Sequence, residues 1–311
     1  MSRSGTAPVS LVTPKLKANE GLPAGSSLAK MAVYHVRRDK LTMIAISILV
    51  LLAVLSLLAP VISQYILHVD PNSTNGYQHM LPLGTPGHLL GTDNVGRDQL
   101  SRLLFAGQVS LGIAVVGGVL SIGIGLFLGV LTGYYGGILD DFVIWIIATL
   151  NSIPGLFLLL IISSILRPGP TALVIVLALL GWTFTTRLVR GEALSLRERD
   201  FIMSAKAVGA SDFYIMFVHI IPNAISITVV NLAITIGDLI LLESALSFLG
   251  VGIQPPTPTW GNMLSGAQSF FKTGAHLVIF PGLLIVITVL CLYIIGDGLR
   301  DALDPTLKGT N

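Results

Sequence analysis

Residues 187–223 read RLVRGEALSLRERDFIMSAKAVGASDFYIMFVHIIPN, a charged stretch set between two strongly apolar ones. Its residue types predict an ordered unit rather than a linker. Asp200 is placed to cap a short helix over 201–208 by accepting backbone N–H bonds. Lys206 falls in the last turn of that helix, where a cation suits the negative end of the dipole. Ala205 lies on the helix face expected to be buried. Gly209 and Ala210 follow, and Gly209 suits the left-handed residue that ends a helix. Ser211 is placed to cap a second helix, with Asp212 in its first turn. Pro222 is placed to start the next long helix, where its missing N–H costs nothing. Helix, glycine corner, helix and proline make an angled unit.

Outward from this unit the chain is apolar. Of 311 residues, 53% are hydrophobic and 11% charged, whereas soluble domains carry about 25% charged residues. The composition predicts an all-α polytopic membrane protein and excludes a nucleic-acid binder. Six stretches approach the length needed to cross about 30 Å of hydrocarbon as helices: 41–63, 109–133, 142–166, 171–186, 221–250 and 277–295. The fourth is short, with Arg187 as a snorkelling end. The third holds Pro154 after Asn151 and Ser152, which predicts a kink or break. The first is too long for a secretory signal, and no small-residue cleavage site follows it. The one cysteine, Cys291, cannot form an internal disulfide. No Cys/His cluster suggests a metal site.

Basic residues set the orientation. Of the 18 Lys and Arg, all but Arg97, Arg102, Arg167 and Lys272 fall in the tails or in the charged stretch. The positive-inside rule then predicts that both termini and the Gly209 unit are cytoplasmic. The organisation expected is a flexible cytoplasmic tail over 1–35, a first helix and extracytoplasmic loop over 36–108, a core over 109–304 with the charged loop at about 187–222, and a cytoplasmic tail over 305–311. Residues 30–40 read either as a short helix along anionic lipid headgroups or as disorder.

Three further features concern packing or outer contacts. Gly117, Ser121, Gly125, Gly129 and Gly133 recur every fourth position, a small-residue face on which helix backbones approach closely in lipid. Asp238 and Glu243 are acidic groups at membrane depth, which face a bundle interior or a water-filled path. Glu243 reads first as a lock between helices; Asp238 leaves lock and path open. On the outer side, Pro255, Pro256 and Pro258 exclude a continuous helix. Trp260 follows them, as an interface anchor or as a contact with a partner. Asp98 and Arg102 are four apart, a spacing that lets them pair on one helix face, and the segment from Asp93 to Arg102 reads either as a partner contact or as a solvated helix entry.

The 187–223 segment resembles the Glu-Ala-Ala loop of ATP-binding-cassette importer permeases, with Met203-Ser204-Ala205 in place of the triplet, Gly209 as its glycine and Ile221-Pro222 at its end. The Glu and first Ala of the pattern are absent. The segments HLLGTDNVGRDQLSRLLFAGQVSL (88–111), GYYGGILDD (133–141), ESALSFLGVGIQPPTPTWGNML (243–264) and GDGLRDALDPTLK (296–308) are similar to the C-type subunit of the dipeptide/oligopeptide/nickel permease family. The similarity covers about residues 40–308. It implies a type I importer permease fold of six transmembrane helices in a bacterial or archaeal inner membrane. The implied cargo is a peptide, with oligosaccharide, nickel complex or opine as alternatives. The implied partners are a sister B-type permease subunit, two cytoplasmic ATPase subunits and an extracytoplasmic solute-binding protein. No cofactor is expected in this chain, since ATP and Mg would bind the ATPase subunits. Asp200, Ala205, Lys206, Gly209, Ala210, Ser211 and Pro222 would form the ATPase-coupling loop. Asp93, Arg97, Asp98 and Trp260 would contact the receptor or sister subunit.

Two local likenesses point elsewhere. Leu264-Ser265-Gly266-Ala267-Gln268 resembles the signature sequence of ABC ATPases, yet it falls on the predicted outer side and the chain has no Gly-x-x-x-x-Gly-Lys-Ser/Thr loop. Gly237-Asp238 and Gly296-Asp297 resemble the pairs of intramembrane aspartyl proteases, which need two carboxyls sharing a proton; here one is mid-span and the other at a helix end. A self-sufficient channel or secondary transporter is the remaining rival. It predicts transport without nucleotide and inverted repeats with matching broken helices, and the sequence shows no such repeat.

Overall fold

The computed structural model describes residues 28–166, 169–265 and 267–303. Among them there is no β-strand, only helices and connecting loops. Residues 1–27, 167–168, 266 and 304–311 lie outside the described residues, and with them most of the expected N-terminal tail, all of the expected C-terminal tail and one residue of the 264–268 likeness.

Helix α1 spans Leu28–Arg38, so residues 28–35, expected in a flexible tail, are helical. Asp39 then separates it from α2, Lys40–Leu57, and accepts bonds from Leu41 N and Thr42 N at 3.1 and 3.2 Å. The Thr42 hydroxyl also donates to Asp39, and that bond holds the carboxyl below its usual range. α2 breaks just before Pro60 and continues as a short helical turn and a wide π-turn, Ile62–Leu67. α3, Gln99–Tyr135, is capped by Asp98, which accepts the Ser101 N–H at 2.7 Å. It ends where Gly136 and Gly137 take φ of +66° and +59°, a region that glycine enters without a Cβ clash. α4, Gly137–Asn151, and α5, Gly155–Leu166, together pass as one span but are bent by 82°. The expected kink at Pro154 is thus a full break.

α6 spans Pro170–Arg197 with Pro170 in its first turn. It is longer than the short fourth span expected, because the helix runs on past Arg187 and the charged loop begins only after Arg197. α7, Asp200–Ala207, is the short loop helix. α8 runs over Asp212–Phe248 and includes a π-turn at Ile215–Ile220. α9, Trp260–Leu264, is a single capped turn, and α10 spans His276–Leu303. Among the described residues, five helices are long and apolar enough to cross a membrane, and the bent pair taken as one span brings the number to six.

The longest interface joins α3 to α6. It follows from the small-residue face of α3. A Cβ on Gly125 would fall 2.5 Å from Thr185 Cβ, one on Gly129 2.7 Å from Val189 Cβ, and one on Gly133 2.6 Å from Ala193 Cβ. The two backbones are close enough that only glycine fits. Asn231 of α8 donates to Thr185 Oγ1 at 2.9 Å, which ties a third helix to the same seam. At the end of α10, Gly298 packs against Thr42 of α2.

Candidate functional site

The charged loop is fixed to the bundle from below and open above. Ile202 of α7 is fully buried with Ile215, Met216 and Ile220 of α8, and they pack on Val189, Ala193 and Leu196 of α6 and Val130 and Tyr134 of α3. Burying a side chain of this kind contributes about 1.5–3 kcal/mol. Polar ties add to it. The Tyr134 hydroxyl donates to Asp212 Oδ1 at 2.6 Å. Lys206 Nζ lies 4.8 Å from the Tyr134 ring centroid, within the reach of a cation–π contact. Arg197 donates to the Tyr134 carbonyl at 3.2 Å. Nearby, Arg190 of α6 grips Asp140 of α4 through two 2.5 Å bonds.

Several expected details of the loop are as the residues predicted. Gly209 has φ +88°. The Ala210 N–H closes the end of α7 on the Ala205 carbonyl at 3.0 Å. Ser211 accepts the Tyr214 N–H at 3.3 Å. One detail differs and another holds only in part. Asp200 is not the cap; it is the first helical residue, the N-cap position belongs to Arg199, and no side chain caps that end. The acid still sits in the first turn, where the helix dipole favours it. Pro222 falls in the first turn of the long α-helical stretch Ile221–Phe248, as expected, but that stretch continues an earlier one. Ser211 has already nucleated α8, and Pro222 follows the π-turn within a continuous helical run. Such turns are inserted at single points in helices, often at functional sites.

The upper surface of the loop is apolar and uncovered. Phe201 is 45% exposed, Met203 60%, Val208 86% and Phe213 68%. A Cβ on Gly209 would meet nothing within 4 Å. These side chains cluster at the end of the bundle that also carries Arg197, Arg199 and Lys206.

At the other end, Glu243 of α8 is fully buried. It accepts from Ser110 Oγ of α3 at 3.0 Å and Ser247 Oγ at 2.8 Å. Ser110 in turn accepts the Trp260 N–H at 3.2 Å, and the Trp260 indole donates to the Leu103 carbonyl at 3.1 Å. Trp260 is 1% exposed. The expected membrane-interface or partner contact of Trp260 is therefore corrected: the three-proline loop folds back and plugs the indole into the bundle. A capping box between Thr259 and Asn262 fixes that return. Asp238 is exposed and accepts the Tyr293 hydroxyl of α10 at 2.6 Å.

The segment before α3 is also an internal network. Asp93 accepts from Arg97 at 2.7 Å and lies 3.8 Å from Arg102. Asp98 faces His88 at 2.9 Å. The Asp98–Arg102 pair that the spacing allows does not form, because Asp98 is turned back to cap its own helix while Arg102 reaches the Pro71 carbonyl. Asp93 and Asp98 are 8% and 3% exposed, so both carboxylates are turned into the chain rather than onto an open contact surface. Arg97, Gln254 and Asn262 line an outer cavity of about 310 Å³ above them.

A second cavity of about 490 Å³ opens at the α4–α5 break. Asn151, Pro154, Thr183 and Arg187 contribute to its lining, with Leu239 and Leu242 of α8 behind. Sequence reasoning found the break but not this enclosure, nor Tyr134, Asp140 and Ser110. Their partners lie 50 to 133 residues away along the chain, and no local pattern marks such pairs.

With this geometry in hand, comparison with known proteins is informative. A family model described as the binding-protein-dependent transport system inner membrane component matches residues 125–309. A second, the N-terminal TM domain of oligopeptide transport permease C, matches residues 27–82. The chain is 37% identical to the dipeptide transport system permease protein DppC of Haemophilus influenzae, over 88% of this chain and 94% of that one. It is 39% identical to the glutathione transport system permease protein GsiD of Pectobacterium atrosepticum, over 79% and 82% of the two chains. Against GsiD of Escherichia coli O157:H7 the identity is 38%, over 88% and 89%.

Proposed function

Because this chain belongs to the family of binding-protein-dependent transport system inner membrane components, we propose that it is the C-type permease subunit of an ATP-driven peptide importer. The relatives named for dipeptide and glutathione transport, both peptide cargoes, support that substrate class. In this reading an extracytoplasmic receptor delivers the peptide, a sister B-type permease completes the path, and two ATPase subunits supply the work. ATP and Mg bind those subunits, and this chain provides no nucleotide site. The termini and the 198–222 loop face the cytoplasm.

The observation that carries the reading is the loop built around Gly209. Its underside is locked into α3, α6 and α8, while Phe201, Met203, Val208 and Phe213 stand uncovered. An exposed apolar patch rimmed by charge marks a docking surface. Movement of an ATPase against it would pass through Ile202 and Ile215 into three spans at once. Nucleotide-driven closure then biases the bundle between two states through differential contacts, as alternating access requires.

The test is reconstitution of this chain with its neighbours in proteoliposomes. Uptake of labelled peptide that needs the receptor and ATP together is the expected result. Uptake by this chain alone, without nucleotide, would instead establish a self-sufficient transporter.

A further inference from the structure

We infer that the α4–α5 break lines the translocation path and that Arg187 is a waypoint for the cargo's carboxylate. The inference rests on the importer reading and adds to it the residues that meet the peptide.

Three observations converge. First, the break exposes polar backbone inside a membrane-crossing element. Asn151, Ser152, Ile153, Pro154 and Gly155 are all exposed in this chain. The Ile153 N–H reaches back to Leu150, those of Phe157 and Leu158 reach Pro154, and Pro154 has none to offer. An interrupted ladder at membrane depth is tolerated only where it is covered by protein or lines a water-filled cavity. Secondly, the cavity of about 490 Å³ lies at this point, within the range of about 300–1,000 Å³ typical of small-molecule sites.

Thirdly, the cavity holds a cation. Arg187 is exposed within it and makes no hydrogen bond or ion pair among the described residues. It is not at a helix end, for α6 continues ten residues further to Arg197, about 15 Å at 1.5 Å per residue. Arg190, one turn away, is already satisfied by Asp140. Thr183, one turn on the other side, lies 3.4 Å from Asn151 across the break. A charged side chain at the end of an apolar stretch turns to water or an aqueous cavity rather than lipid, where it is costly, and Arg187 turns into this one. A cation pairs with a carboxylate through charge-assisted hydrogen bonds, and every linear peptide with a free C-terminus carries one. The surrounding leucines from α6 and α8 offer apolar walls for side chains of any identity, so the arrangement reads the invariant group and tolerates the variable ones.

Two measurements on the assembled complex test this. In a Cys291→Ser background, Ser152→Cys is expected to react at least tenfold faster with a charged, lipid-insoluble thiol reagent than Ile161→Cys, which is 57% exposed midway along α5. Equal, slow reaction at both positions would overturn the path assignment. Then uptake of labelled dialanine and trialanine per ATP hydrolysed is compared in Arg187→Lys and Arg187→Gln. The lysine variant is expected within about twofold of wild type and the glutamine variant at least fivefold below it. Equal uptake in wild type and Arg187→Gln, or equal loss in both variants, would overturn the waypoint and leave the path to the thiol result. A wild-type complex that imports no peptide would overturn the importer reading and the role of Arg187 with it, whereas reactivity at Ser152→Cys is read independently of transport.

Discussion

The Tyr134 hydroxyl donates to Asp212 at 2.6 Å and the Lys206 ammonium lies 4.8 Å from the same ring, so one side chain at the end of α3 holds both halves of the angled loop. Tyr134 is 5% exposed. Removing its hydroxyl should loosen the second half of the loop while leaving the ring, and hence Lys206, in place. Tyr134→Phe is expected to cost about 0.5–1.5 kcal/mol, since water can take the place of the hydroxyl at the exposed Asp212. Limited proteolysis within the loop should accelerate, with unchanged insertion of the spans. An unchanged cleavage rate would mean that apolar packing alone holds the loop.

The α3–α6 seam predicts a steep steric penalty. Gly129→Val places carbon 2.7 Å from Val189 Cβ and 2.8 Å from the Thr186 carbonyl, distances that force the helices apart. Overpacking costs typically about 1–3 kcal/mol. Detergent-solubilised Gly129→Val should lose thermal stability and yield, whereas Gly123→Ala, which meets nothing within 4 Å, should match wild type. Equal stability of the two variants would refute the close approach.

Glu243 gives a graded pair. Glu243→Gln keeps an acceptor for one of Ser110 and Ser247 and offers an amide N–H to the other hydroxyl, and is expected to assemble nearly as well as wild type. Glu243→Leu leaves both hydroxyls buried without their partner, at about 1–3 kcal/mol, and should reduce the yield of complex. If Glu243→Gln assembled normally and hydrolysed ATP but transported nothing, Glu243 would belong to the path and not to the Ser110–Trp260 seat.

Orientation is tested separately. Reporter tags near Gly5, Arg197 and Gly309 should be protected from outside reagents, and tags near Ser73 and Gln268 should react. The expectation comes from the bias of Lys and Arg toward one side of the spans. A reactive tag near Arg197 would remove the loop from any cytoplasmic partner.

What the sequence made legible was local or periodic. Gly209 and Ser211 could be read because a left-handed corner and a serine cap depend on few neighbours. The glycine face of α3 could be read because its four-residue period survives whatever it packs on. Asp200 was misplaced by one register, the usual uncertainty at a helix end. Trp260 and Asp98 were misread for different reasons. The partners of Trp260, Leu103 and Ser110, are brought in by tertiary folding and nothing in its spacing announces them, whereas Asp98 is drawn to a local contact, the cap on Ser101 three residues on. The length of α6 was underestimated because the charged residues after Arg187 look like loop, yet Val189, Ala193 and Leu196 carry the helical period onto a buried face.

The central claim is that the Gly209 loop couples ATP hydrolysis to movement of the spans. Gly209 sits at φ +88° with no neighbour within 4 Å of a Cβ, so Gly209→Val strains the corner, by roughly 1–2 kcal/mol, and adds bulk to the docking surface without a clash inside the chain. Ala205→Asp tests the same helix with a charge. The decisive measurement is peptide uptake together with receptor-stimulated ATP hydrolysis in reconstituted complex, with subunit stoichiometry checked by pull-down. The account predicts that Gly209→Val either fails to retain the ATPase subunits or hydrolyses ATP without matching uptake, while the spans still insert. Wild-type uptake and stimulation in both variants would contradict it.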